Sequence, residues 1–433
     1  MFKLLLLTVL SSLFAVALAQ AENRIDLVRP DAPELAARGS QTVGVRTLEV
    51  VHKDQLDIVN AVSGEKIPRY DRSLTLEVWY PATLPQGAEP GGAYTVMTRD
   101  GETEATLQGQ AVRDAASDRS GAPYPLVIVS HGYPGNRFLL SHLTENLASK
   151  GYVVVAIDHR DSTYSDQGAF ASTLLNRPLD QQFVLDEVAR RSSAQGGFLS
   201  GLVDTDNAGI VGYSMGGYGV VNLLGGGFTA ASAGFDFSPP NGALQERTAG
   251  NPSYPQPDPR FKAAIAIGPW GMNTGFWDAE GLAGLETPIL FVAGSADDVS
   301  GYEEGTRAIF ENAVNAERYL LSFENANHNA AAPIPAPDVT WQNGTFDHYA
   351  DPVWDTVRMN NVAQHFATAY FGQYLKGDIA LSPYLDLIEN AEDGVWAVDD
   401  SGQETADHTY WQGFPERTAI GLRLEHAAPQ GQD

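Results

Sequence analysis

A serine hydroxyl is a weak nucleophile near neutral pH and acts only when a base takes its proton and fixed donors receive the charge developing on the substrate. The segment Ile210-Val211-Gly212-Tyr213-Ser214-Met215-Gly216-Gly217 presents such a serine. It follows a short apolar run that predicts a buried strand, and it opens a helical pattern. Glycines two before and two after Ser214 leave room for the chain to turn back on itself. That turn leaves the hydroxyl exposed at the end of the sheet, above a helix N-terminus that favours negative charge. The chemistry this arrangement suits is acyl transfer through a covalent intermediate.

The base and its orienting acid are sought after the serine, each beyond the end of a strand. Gly294-Ser295-Ala296-Asp297-Asp298 follows the apolar run Ile289 to Val292, and Asp297 is favoured over Asp298 because it stands three residues past Gly294. Glu324-Asn325-Ala326-Asn327-His328-Asn329 follows the run Tyr319 to Phe323, which makes His328 the candidate base. Among the other histidines, His131 suits a loop-shaping role, His159 in Asp158-His159-Arg160-Asp161 a polar network, and His365 a place within a helix. Asp158 is read as structural. For the oxyanion, the backbone N–H of Met215 is one expected donor. The second is Tyr133, in Ser130-His131-Gly132-Tyr133-Pro134-Gly135, since Pro134 has no N–H.

The elements that must position these residues read as an α/β chain. Short continuous apolar runs at Leu126 to Val129, Tyr152 to Ile157, Ala208 to Val211, Ala263 to Ile267, Ile289 to Val292 and Tyr319 to Phe323 predict buried parallel strands joined by helices. A helix is expected from Leu139 to Lys150, stopped at Gly151, and another from about Val353 to Lys376, closed by Gly377. Val43 to Val51 and Leu74 to Trp79 read as an antiparallel pair at one sheet edge. Residues 20–42 read as a lead-in, 84–124 as a long surface excursion, and 225–260 as an insertion capping the site. The main domain is expected over 43–377, with 378–433 as a C-terminal appendage docked on it.

The sequence has 433 residues, with 27 Lys and Arg against 54 Asp and Glu, a formal charge of −27. Such a surface repels nucleic acid and anionic membranes, so neither is an expected partner. With no cysteine, thiol catalysis and a disulfide framework are both excluded. Lys3, the apolar run from Leu4 to Leu18 and Ala17-Leu18-Ala19 have the layout of a cleavable export signal over residues 1–19. The expected location is therefore periplasmic or extracellular, with no membrane span left after cleavage. The sequence does not indicate an oligomeric state. A phosphate-binding loop is unsupported because the glycines around Ser214 lack a lysine, and a dehalogenase would place aspartate at 214.

Together with the elbow, Val78-Trp79-Tyr80-Pro81-Ala82, Val129-Ser130-His131-Gly132, Leu147-Ala148-Ser149-Lys150-Gly151-Tyr152 and Asp158-His159-Arg160-Asp161 resemble bacterial proteins described as predicted dienelactone hydrolases. More distantly they resemble platelet-activating-factor acetylhydrolases. The resemblance implies an α/β-hydrolase fold, with a mostly parallel sheet, antiparallel N-terminal edge strands and helices on both faces. It also implies cleavage of carboxylic esters of small acyl groups or lipids, without a metal or other cofactor. In the acetylhydrolases the acid follows the strand next after the nucleophile's own. Here that stretch is Ala266-Ile267-Gly268-Pro269-Trp270, with glycine in the acid's place, which assigns the role to Asp297. A short-acyl carboxylesterase is the leading expectation, a lipid or polyester hydrolase the enzymatic alternative, and a binding module on a hydrolase scaffold the alternative of another class.

Overall fold

A computed structural model describes residues 23–430, and the export signal expected at residues 1–19 lies outside them. The strands are β1 (Asn23–Arg24), β2 (Val43–Leu56), β3 (Arg69–Thr83), β4 (Gly92–Met97), β5 (Glu104–Gly109), β6 (Val112–Arg113), β7 (Ala116–Ser117), β8 (Tyr124–Ser130), β9 (Val153–Asp158), β10 (Val203–Tyr213), β11 (Phe261–Ile267), β12 (Ile289–Gly294), β13 (Arg318–Phe323) and β14 (Leu422–Ala427). The α-helices are α1 (Ser141–Ser149), α2 (Phe170–Ser193), α3 (Met215–Leu223), α4 (Ala279–Leu282), α5 (Ala308–Asn312), α6 (Thr340–Asn343) and α7 (Thr356–Lys376).

Among the described residues an eleven-stranded sheet runs β14-β13-β12-β11-β10-β8-β9-β3-β2-β6, with β7 paired to β3. The six strands from β13 to β9 are parallel, and β3 turns antiparallel against β9 and β2. Successive side chains of one strand enter opposite faces. Val127 and Val129 join the core shared with α1 and α7, while Leu126 and Ile128 join the core shared with α2 and α3. Strands buried on both faces read as unbroken apolar runs, which is why this part of the sheet was visible in sequence.

The register fixes where the site lies. Ser130 of β8 pairs with Gly212 of β10, Tyr213 with Ile267 of β11, Ile267 with Val292 of β12, and Gly294 with Phe323 of β13. The C-terminal ends of these strands therefore stand side by side, and the segments beyond them meet on one edge.

Three regions differ from expectation. Residues 84–124 are not a surface excursion. β4 and β5 form a hairpin that, with β1, makes a second sheet burying Tyr94, Val96 and Leu107. Their period-two alternation was masked by glycine, threonine and charge. The segment 378–430 ends in β14, an antiparallel edge strand of the main sheet, with Trp411 and Leu422 in the core. The insertion at 225–260 does not line the cavity at Ser214. Its Phe228 stacks against Tyr218 of α3, and Arg247 and Tyr254 hydrogen-bond to Asn222 at 2.7 and 2.6 Å, so its aromatic residues cover the flank of α3.

Candidate active site

Ser214 joins β10 to α3 with φ 53° and ψ −113°, a backbone conformation a non-glycine residue keeps only when its surroundings hold it there. Its N–H donates to the Ile267 carbonyl at 2.8 Å, and its carbonyl accepts from Tyr218 and Trp270 at 2.9 and 3.2 Å. A Cβ at 212 would fall 2.3 Å from the Gly216 carbonyl oxygen, and one at 216 would fall 2.0 Å from that of Ser130. Both glycines are thus required by close backbone approach. The serine is 7 % exposed, at the floor of a cavity of about 560 Å³.

His328 lines the same cavity, and its Nδ1 lies 2.9 Å from Asp297 Oδ2. The other carboxylate oxygen of Asp297 accepts from the Val299 and Ser300 amides, each at 2.9 Å. Burial works to raise this carboxyl, but the His328 contact and the two amides outweigh it and hold it below the ordinary aspartate value. A carboxylate so held orients the imidazole and leaves Nε2 to face the cavity. Asp298 is exposed at the rim of the cavity and makes no bond to His328 among the described residues. Gly268, with φ 49°, sits beside this pair, since a Cβ there would lie 3.3 Å from both Asp297 Oδ2 and His328 Nδ1. No hydrogen bond joins Ser214 and His328 among the described residues.

The loop after β8 borders the serine, as a Cβ at Gly132 would lie 3.3 Å from that of Ser214. The amides of Tyr133 and Met215 donate to no acceptor among the described residues, the latter because it opens a helix. Buried Arg177 of α2 holds the loop from behind, bonding to the carbonyl of His131, to that of Gly132 at 3.4 Å and to Ser162 Oγ at 2.6 Å.

Behind that loop lies a second polar chain. Ser130 Oγ is 2.8 Å from His159 Nε2, His159 Nδ1 is 2.9 Å from Asp180, and Arg72 grips Asp180 with two bonds of 2.8 and 2.9 Å. Arg72 also reaches Asp161 at 2.9 Å. Burial first, and then the Arg177 charge, press His159 down to about 3, so its ring is neutral. Asp158 pairs instead with Arg137. His365 is buried in α7, accepting from the Leu35 amide at 3.2 Å.

Sequence reasoning missed the outer wall of the cavity, formed by Arg99, Phe346, Asp347, His348 and Asp351. They come from a hairpin turn and from the 345–352 segment, where irregular backbone carries no periodic signal. Among the described residues no cluster of His, Cys, Asp and Glu could hold a metal, and no helix is long and apolar enough to cross a membrane.

The chain is similar to several known proteins. The family model described as platelet-activating factor acetylhydrolase, isoform II, matches residues 95–185. Cutinase est1 of Thermobifida alba is 24% identical over 213 residues, covering 49% of this chain and 56% of its own. The platelet-activating factor acetylhydrolase of Bos taurus is 29% identical over 192 residues, covering 40% of each. The chain thus spans about half the length of the curated relatives it matches. A solved ferulic acid esterase from Streptomyces cinnamoneus superposes with a TM-score of 0.54 at 22% identity, covering 80% of this chain and 94% of that one. The parallel sheet, the strained serine turn and these relatives together place the chain in the α/β-hydrolase superfamily.

Proposed function

We propose that this protein is a serine hydrolase of carboxylic esters, with Ser214 as nucleophile, His328 as base, Asp297 as its orienting acid, and the amides of Tyr133 and Met215 as oxyanion donors. The observation that carries the reading is the 2.9 Å pairing of Asp297 with a histidine that shares its cavity with Ser214 at the strained turn. His328 Nε2 takes the Ser214 proton as Oγ attacks the ester carbonyl. The resulting oxyanion lies against the two free amides, each such donor contributing about 3 to 4 kcal/mol. Collapse breaks the bond to the alcohol, which leaves with the proton from His328. Water, deprotonated by His328, then attacks the acyl-enzyme and releases the acid and the serine. In apo structures the serine–base bond is often long and closes only with substrate bound.

A cavity of about 560 Å³ suits a short acyl chain and a small alcohol. The rim favours a second reading, a bulkier apolar or polymeric ester, because Trp341 is 71 % exposed and packs against Phe346 at 5.0 Å. The cutinase names among the relatives point the same way. Fluorophosphonate labelling tests the nucleophile: wild type is expected to label and Ser214→Ala not, and equal labelling of both would sink the assignment. p-Nitrophenyl esters of graded length separate the two substrate readings, with acetate or butyrate preferred in the first and long acyl chains in the second. Export belongs to the same proposal, resting on Lys3 and the Leu4 to Leu18 run. N-terminal sequencing of the mature protein, expected to begin at Gln20, tests it.

A further inference from the structure

We propose that the cavity over Ser214 selects esters bearing an anionic substituent, a carboxylate or a phosphate, and that Arg99 binds that group. The inference rests on the ester-hydrolase reading and narrows its substrate class.

Arg99 sits in the turn between β4 and β5. The neighbouring Asp100 carboxylate ties that turn together, accepting from Thr98 Oγ1 at 3.0 Å, the Glu102 and Thr103 amides at 3.0 and 2.9 Å, and Thr103 Oγ1 at 2.6 Å. Asn343 Nδ2 joins the same carboxylate at 2.9 Å, and Asn136 Nδ2 reaches the Met97 carbonyl at 3.0 Å. The turn is therefore braced against the segments on both sides of it. From this support Arg99 enters the lining of the cavity that holds Ser214 and His328.

Among the described residues the Arg99 side chain makes no ion pair and no hydrogen bond. Three carboxylates, Asp298, Asp347 and Asp351, line the same cavity, and none of them pairs with Arg99. Asp351 accepts from the Asn327, Val353 and Trp354 amides, at 2.6, 2.8 and 2.8 Å, and Asp297 is held by His328 and two amides. Asp298 and Asp347 are exposed. Burial first, and then the Arg99 charge, lower His348 to about 3, so the neighbouring ring is neutral and does not add to the local positive charge. A guanidinium offers up to five donors in a planar fork that fits carboxylate and phosphate alike. On a chain of formal charge −27, an anionic ester is repelled by the surface at large and needs a fixed cation at the site itself.

The test compares wild type and Arg99→Gln on neutral p-nitrophenyl butyrate, on mono-p-nitrophenyl glutarate, and on monomeric dihexanoyl phosphatidic acid. Arg99→Gln is expected to lower kcat/KM on a charged substrate about ten- to a hundredfold, chiefly through KM, while butyrate stays within about twofold. Arg99→Lys recovers part of the loss. Whichever charged ester responds tells carboxylate from phosphate. Equal losses on charged and neutral esters, or no loss on either charged one, would overturn the proposal. If wild type hydrolyses no ester and takes no fluorophosphonate label, the ester-hydrolase reading fails and takes this proposal with it.

Discussion

Ser130, His159 and Asp180 are linked end to end by bonds of 2.8 and 2.9 Å, whereas Ser214, His328 and Asp297 are linked only at the aspartate end, at 2.9 Å. The better-connected set is the one substrate cannot reach: Ser130 and Asp180 are 0 % exposed. Its charge is also engaged elsewhere. Asp180 is gripped by Arg72 through two bonds, and the Arg177 and Arg72 charges oppose its pull on His159. Among the described residues Asp297 has no cationic partner but His328, and two neutral amides on its other oxygen. Its charge is therefore available to stabilise an imidazolium. Ser130 lies in regular β8, while Ser214 occupies a strained turn with unbonded amides beside it. Hydrogen-bond continuity thus marks the structural set, and access, uncancelled charge and open donors mark the candidate catalytic one.

The comparison breaks most visibly at the serines. Ser214→Ala is expected to lower kcat on p-nitrophenyl butyrate by about 10⁴- to 10⁶-fold while the far-ultraviolet circular dichroism is retained. If Ser130→Ala caused the larger loss, the two sets would have to exchange roles. Next comes the acid. Asp297→Asn is expected to reduce kcat by about 10³- to 10⁴-fold, because an amide donor there favours the wrong imidazole tautomer. Asp298→Asn should stay within about threefold, since that side chain only borders the rim.

How much of this was legible follows from the kinds of signal each residue left. Ser214, Asp297 and His328 all stand just beyond apolar runs long enough to be read as strands, so their common edge followed from parallel topology. Gly268 was noticed as a missing acid, and a side chain there would start 3.3 Å from both Asp297 Oδ2 and His328 Nδ1, which gives that observation a physical sense. Carboxylates at the two positions would approach the same histidine. The hairpin carrying Arg99 was hidden because its alternation is short and diluted by polar residues. β14 was hidden because edge strands gain their partner from distant sequence, here β13. The buried role of Asp180 and Arg72 left no local sign, since they meet across 108 positions.

Acid should destabilise the fold through its buried histidines, His159 of the buried set among them. Burial lowers His142, His159, His348 and His365 to about 3, below the ordinary histidine value of 6.5. The unfolded chain therefore binds protons that the folded chain refuses. Stability is full above about pH 6.5 and falls as pH drops toward 3. Urea unfolding at pH 8 and pH 4.5 measures it, and equal midpoints would contradict the neutral state of these rings. At constant pH, Asp180→Asn should cost about 3 to 5 kcal/mol, because Arg72 keeps only Asp161 as a buried counter-charge. Unchanged stability would mean that the Arg72 grip adds nothing to the fold.

The smallest effect is the most discriminating. Ser130→Ala removes one buried hydroxyl that donates to the neutral ring of His159, leaving Nε2 without its 2.8 Å partner. The expected loss is about 1 to 3 kcal/mol in urea unfolding, with turnover of p-nitrophenyl butyrate reduced less than about tenfold. Any kinetic loss should appear in kcat and not in KM, because the carbonyl of Ser130 packs against Gly216 and supports the turn without facing the cavity. A Ser130→Ala variant of unchanged stability but strongly reduced kcat would instead make the buried set part of the catalytic machinery. The distinction between the two sets would then rest on strength of coupling, since access to substrate could no longer account for it.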